Sequence, residues 1–299
     1  MFGFLNIYKP KNYTSFDVVA VLRKITHIKQ IGHTGTLDPF AVGVLPICIG
    51  KSTKLIEYLP DDKEYIATIQ LGKETNTYDL EGEITNTYPK IINEQELKNI
   101  LEEFKGETEQ TPPIYSALKV NGKKLYEYAR EGKEIEIKPR KIFISKIDLL
   151  KFDQTEQIAQ IIVGCSKGTY IRSIAYDIGK KLNCGGYLIA LERTKAGMFN
   201  IDNAIKLEDI KTKNDVEKNL INPLIVTPIL RYTMDNKERE LVSHGMSIKL
   251  DFTKLQKTEN VNKSKKDSEV VFLVYGDKIN AVGMVNENKI IVKKVFEVL

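Results

Sequence analysis

Cysteine and histidine are scarce in this 299-residue chain, three of each. Cys48, Cys165 and Cys184 are odd in number and form no CxxC spacing, which argues against a disulfide framework and a cysteine-rich zinc site and fits a reducing, cytoplasmic setting. His27, His33 and His244 are too few for a multi-histidine metal centre. Long apolar runs are lacking too. The opening MFGFLNIYKP has no basic stretch followed by an apolar signal segment, and no later run approaches the roughly 20 residues of a spanning helix, so no membrane association is expected. Charge of one sign is not dominant either: 45 Lys and Arg against 40 Asp and Glu leave +5, a mild bias toward polyanionic partners.

What is present is an ordinary globular composition, 42% hydrophobic and 28% charged, which excludes global disorder. The length suits one large catalytic unit followed by a small module. Thr14 with Asp17 predicts a capped helix carrying Phe16, Val19, Leu22 and Ile25 inward. IGHTGTLDP, with two glycines and a proline, reads as an ordered loop between that helix and the apolar AVGVLPICIG. EYIATIQLG alternates as a strand with Tyr65, Ala67, Ile69 and Leu71 on one face, and the NTYDLEGEI that follows is polar and turn-rich. Asn93 and Glu96 start a second helix with Leu97, Ile100, Leu101 and Phe104 inward. IAQIIVGCSKGTYIRSIAYDIGKKLNCGG begins as a strand and becomes a helix over Ile171, Ile174, Ala175, Ile178 and Leu182, with Gly185 and Gly186 stopping it.

Between these lies a stretch opening at Pro112 and Pro113 that mixes Tyr115, Tyr126 and Tyr128 with Lys119, Lys123, Lys124 and Arg130. Rings that stack on bases beside cations that meet phosphates are what single-stranded RNA readers use, although a solvated hairpin and helix has the same composition. The region from Pro223 to Pro228 reads as a linker. Beyond it VVFLVY, KINAVGMV and KIIVKKVFEV predict a β-meander turning at Gly276-Asp277 and at Asn286 to Asn288. This tail holds thirteen Lys and Arg against ten Asp and Glu, and its LQKTENVNKSKKDSE reads as a solvated excursion.

GHTGTLDP (32–39), GVLPICIGKSTK (43–54), YSALKVNGKKLYEYAREG (115–132) and CSKGTYIRSIAYDIG (165–179) together resemble the bacterial tRNA pseudouridine-55 synthase family, in order from Asn6 to about Pro223. The resemblance implies an α+β pseudouridine-synthase catalytic fold with a central mixed sheet and a deep cleft over residues 1–228. It further implies an RNA-clamping insertion at about 108–142 and a small C-terminal β-rich, PUA-like RNA-binding domain over 229–299. It implies isomerisation of the T-loop uridine at tRNA position 55 by a stand-alone, monomeric enzyme of the cytoplasm, with no cofactor, no metal and no guide RNA. A chaperone role toward tRNA also belongs to the family, and a non-catalytic tRNA-binding chaperone is the rival reading.

The same resemblance assigns roles. Asp38 matches the catalytic aspartate, a carboxylate that attacks the uracil ring at C6 or acts at the ribose. Pro39 restricts its backbone, while Gly32 and Gly35 are expected to allow close approach or unusual dihedrals. Arg172 matches the arginine that orients this carboxylate bidentately and favours its ionised form. Tyr65 matches the tyrosine stacking on the base, Tyr170 a second pocket tyrosine, and Leu191 a pocket wall. His33 and Lys9 are placed among the RNA contacts with Lys119, Lys123, Lys124 and Arg130. Glu192 stands where an arginine is usual in the family.

Overall fold

The computed structural model describes residues 1–133, 135–256 and 270–296, so most of the lysine-rich excursion lies outside the described residues. The first helix, Ser15–Thr26, starts at Thr14 with the expected capping box, Asp17 closing it back onto the Thr14 backbone. Its buried row is Ser15, Val18, Val19, Leu22 and Thr26. Phe16 was expected inward. It lies about a third of a turn off that row and is 60% exposed, its ring 5.4 Å from the Arg23 guanidinium. The second capping box, Asn93 with Glu96, opens Glu94–Glu102 as predicted, with Leu97 and Leu101 buried.

The Lys63–Leu71 strand alternates as its sequence does: Tyr65, Ala67, Ile69 and Leu71 are buried, while Ile66, Thr68 and Gln70 are half-exposed. Both its edges are paired antiparallel, one to Ile158–Cys165 and the other to Gly186–Ala196. Around it the described residues form a ten-stranded sheet. Val42–Ile49 runs parallel to Gly186–Ala196, and Gly3–Lys9 parallel to Ile205–Lys206, so the sheet is mixed. The Ile171–Lys181 helix packs Ile174, Ala175 and Ile178 against it, each buried isoleucine contributing roughly 1.5–3 kcal/mol. That helix ends differently from expectation. The chain leaves it through Asn183 (φ 53°), and Gly185 and Gly186 lie so close to Gly179 that a Cβ there would sit 2.2 Å from their backbone. The glycines serve close packing as well as the turn.

The predicted meander is present as Val270–Tyr275, Lys278–Asn286 and Lys289–Val295 within a second, six-stranded sheet that also carries the Asn236–Ser243 helix. The fold is thus α+β, a central mixed sheet followed by a β-rich C-terminal domain. The stretch from Pro223 is not a free linker: Pro223–Val226 forms a short helix with Leu224 and Val226 buried. Those side chains join one apolar cluster in which Phe4, Val44 and Phe199 from the first sheet meet Phe272 and Val282 from the second and Phe296 just beyond its last strand. The Tyr58 ring stands edge-on to Phe272 at 5.8 Å. Phe272→Ala should therefore cost about 3–5 kcal/mol of unfolding free energy in urea titration, with reporters in both sheets shifting together. Two separated transitions would instead mark the second sheet as an independently folding module.

Candidate active site

The loop of IGHTGTLDP is pinned on both sides of Asp38. Ser15 Oγ accepts from Leu37 N at 2.8 Å, and the Pro39 carbonyl accepts from Asn12 N at 2.8 Å and from Lys9 Nζ at 3.2 Å. Lys9 has no exposed surface, and its ammonium also donates to the carbonyls of Pro10 and Tyr13, at 2.9 and 2.6 Å. Three carbonyls thus take the three protons of a residue grouped by sequence with the RNA contacts. It lies beneath the loop and presents no surface outward. Gly32 and Gly35 show no left-handed φ; a Cβ on Gly35 would lie 3.3 Å from the Lys63 side chain.

Arg172, near the start of the Ile171–Lys181 helix, reaches Asp38 with two bonds, Nε to Oδ2 at 3.0 Å and Nη2 to Oδ1 at 3.2 Å. Nη2 also donates to Tyr115 O at 3.0 Å, while Nη1 meets Asp79 Oδ2 at 3.2 Å and Thr77 O at 3.4 Å. Five contacts match the five N–H groups of a guanidinium, so Arg172 is fully spent on orientation. Asp79 was not singled out in the sequence. Its Oδ1 accepts from Thr77 Oγ1 at 2.6 Å and from Glu81 N at 3.0 Å, a pattern that an aspartate in any polar turn produces. The Tyr78 carbonyl accepting from Leu188 N at 3.0 Å, a bridge between Asp79 and Leu188, and the stacking of Tyr78 (φ 63°) on Tyr176, ring centroids 4.1 Å apart, hold that turn where its second oxygen meets Arg172.

Asp38 and Arg172 sit in a cavity of about 690 Å³ that Tyr65, Tyr170 and Leu191 also line, with Tyr115, Tyr126 and Arg130 contributed by the clamp segment. Tyr170 is fixed by reciprocal bonds with the Gln110 amide, at 2.8 and 3.0 Å. In the clamp, Lys119–Val120 and Lys123–Lys124 pair as a hairpin and Leu125–Arg130 is a helix. Lys124 and Arg130 both lie 5.3 Å from the Tyr126 ring, and Lys123 lies over Tyr128 and pairs with Glu131; Lys119 is exposed. His33 stands just before Thr34 and Gly35 at the cavity rim, half-buried, with no hydrogen-bond partner for Nδ1. Glu192 points away from the cavity wall and accepts from Tyr8 Oη at 2.7 Å.

Burial dominates the electrostatics. It raises the Asp38 carboxyl above the ordinary aspartate value; Arg172 opposes this and the Asp79 charge adds to it. Arg172 favours the ionised form as expected, but desolvation outweighs it. Burial, with the Arg193 charge second, lowers the His33 imidazole pKa and favours its neutral form. Burial also brings Lys9 down to about 8.

The TruB family pseudouridylate synthase N-terminal domain model matches residues 23–171, and the tRNA pseudouridylate synthase B C-terminal domain model matches residues 172–228. The chain is 46% identical over 252 residues to tRNA pseudouridine synthase B of Clostridium tetani, covering 83% of this chain and 86% of that protein. It is also 46% identical over 252 residues to the enzyme of the same name from Francisella tularensis subsp. novicida, covering 82% of each. In fold it resembles a Cbf5-Nop10-Gar1 complex chain, with a TM-score of 0.71 at 24% identity over 99% of this chain and 84% of that one. A chain of an H/ACA RNP bound to a substrate RNA containing 2'-deoxyuridine gives a TM-score of 0.70 at 24% identity, covering 99% of this chain and 85% of that one.

The opposing influences on Asp38 give a signed prediction. Asp79→Asn removes a raising charge, so the Asp38 carboxyl should titrate at lower pH in carbon-13 NMR. Arg172→Gln removes the lowering charge, so it should titrate higher, with a loss of about 3–5 kcal/mol in stability from the carboxylates left unpaired. Shifts of the reverse sign would break the assigned network.

Proposed function

The chain belongs to the TruB family of pseudouridylate synthases, and from that premise we propose that it isomerises the T-loop uridine at tRNA position 55, with Asp38 as its catalytic carboxylate. The observation that carries this reading is the grip of Arg172 on Asp38. A carboxylate held by both oxygens in the lining of a tyrosine-lined cavity is oriented for one direction of attack, on C6 of the uracil or on the ribose. The reaction breaks an N-glycosidic bond, turns the base and joins C5 to the sugar, with no net redox change; this route uses no cofactor or metal.

A folded T-loop does not offer its uridine, so the base is flipped out, at a cost of a few kcal/mol. Tyr65 stacks on the flipped uracil, Tyr170 and Leu191 close the pocket, and His33, neutral at the rim, faces the space the base leaves. Lys9 holds the loop behind Asp38. Lys119, Lys123, Lys124 and Arg130 form the clamp over the T-arm phosphates, and the cations now lying over Tyr126 and Tyr128 exchange ring contacts for phosphate contacts on binding. The domain division proposed is a catalytic unit over 1–228 with the clamp at about 108–142, and a PUA-like RNA-binding domain over 229–299. The enzyme acts as a cytoplasmic monomer without a guide RNA. Among the described residues no helix is long and apolar enough to cross a membrane.

Purified protein incubated with unmodified tRNA labelled with tritium at uracil C5, and no added RNA, should release tritium and place pseudouridine at position 55 alone. Asp38→Asn should bind the same tRNA with affinity changed less than about threefold and release none. Undiminished release by that variant rejects the role of Asp38. Accelerated tRNA annealing without any pseudouridine from the wild-type chain supports the chaperone reading instead.

A further inference from the structure

Arg193 is fully buried and has no ionic partner among the described residues. Its Nε donates to Val44 O at 2.6 Å and its Nη2 to Gly35 O at 3.1 Å, while Nη1 has no acceptor. The titratable groups around it are basic: burial lowers the pKa of Lys9, His33 and Lys63, and the Arg193 charge lowers each further. An unpaired guanidinium in the interior is costly, and this one is held rigidly all the same. The backbone is built around it. Gly43, at φ +103°, passes so close that a Cβ would stand 2.3 Å from the Arg193 carbonyl oxygen, and this approach brings Val44 O within reach of Nε.

Directly opposite Arg193 on the neighbouring antiparallel strand is Tyr65, a register that puts Cβ atoms about 4.5–5.5 Å apart. Tyr65 lines the cavity, and so do Gly35 and Lys63, which flank Nη1; a Cβ on Gly35 would lie 3.7 Å from that atom. Arg172 has no N–H left for substrate. Arg193 is the guanidinium behind this cavity wall with donors unspent.

We infer that Arg193 is a positioning residue that acts through Tyr65: its pinned guanidinium turns a free N–H and a full positive charge on the Tyr65 hydroxyl, so that this tyrosine serves the reaction through its hydroxyl as well as its ring. The inference rests on the proposed reading of the cavity as the uracil pocket. The groups facing Tyr65 are Arg193, Cys165 and Asp38. The Cys165 thiol is pushed up to about 11 by burial and is uncharged at neutral pH, and the Asp38 carboxylate disfavours a phenolate. Burial raises Tyr65, and Arg193 is the strongest influence opposing it. Breaking the glycosidic bond leaves its electron pair on the uracil. A phenol O–H polarised by a guanidinium donates more strongly to that developing negative charge than an unassisted phenol does.

The test is a double-mutant cycle read as kcat and KM for tritium release. Arg193→Gln should lower kcat roughly tenfold with KM little changed, and Arg193→Lys, which keeps the charge, should recover part of the loss. In a Tyr65→Phe background neither substitution should change kcat by more than about twofold. The same fold-loss in both backgrounds would show Arg193 to be scaffold only and overturn the inference. If Arg193→Gln does not fold by thermal melting, Arg193→Lys carries the cycle alone. A wild-type chain that released no tritium would defeat the proposed function; the link to Tyr65 is then read without substrate, from the carbon-13 titration of Tyr65, assigned with Tyr65→Phe. That pKa should be higher in Arg193→Gln, which loses the charge, than in the wild type, and an equal value would overturn the link.

Discussion

The arrangement depends on one ion-paired triad, Asp38 to Arg172 to Asp79, set into the wall of a cavity. Removing two carboxylates and a guanidinium from water is expensive, and the geometry offsets that cost by giving every guanidinium N–H an acceptor. The asymmetry within the triad matters. Asp79 is 3% exposed in its side chain and Asp38 33%, so one carboxylate is enclosed as a counter-charge while the other is held open to the cavity.

Each partner arrives from a different layer of the fold. Asp38 lies in a loop nailed by Ser15 from the first helix and by Lys9 from the first strand. Arg172 rides on a helix whose apolar face is sunk into the central sheet, and Asp79 is held by its bridge to Leu188 and by the Tyr78 and Tyr176 stack. Because each anchor is buried or hydrogen-bonded, the site borrows its rigidity from the core. The second sheet extends that core through Phe272 and its neighbours rather than hanging from a tether.

Much of this was legible in the residues. Capping boxes at Thr14 and Asn93, the two-residue alternation from Tyr65 to Leu71 and the apolar spacing from Ile171 to Leu182 are local signals, and local hydrogen bonding or strand and helix periodicity produces them directly. Asp38, Arg172 and Tyr170 follow from motif blocks, Tyr65 and Leu191 from the wider family resemblance, and all five line one cavity. Phe16 went astray because a four-residue periodicity leaves two adjacent rows for the inward face, and packing selects between them. Asp79 gave no local sign, and Arg193 only its place in the Leu191 to Thr194 stretch that resembles a pocket wall: a turn aspartate and a strand arginine are usually solvated, and their partners lie 93 and 128 positions away in the chain.

The sequence by itself determined the helix starts, the α+β class, the order of the two domains and the motif positions, since these depend on short-range spacing and on the blocks shared with a family. Tertiary structure decided which charges are spent and which are free. Two arginines twenty-one residues apart become, respectively, a saturated clamp on a carboxylate and a buried cation with an open donor. Burial raises the carboxyl's pKa even with a guanidinium in contact, and Lys9 is drawn under the loop to serve three carbonyls. The physical reason is that desolvation and hydrogen-bond partnership are properties of a place in the fold, set by strands and turns that meet only when the sheet closes over them.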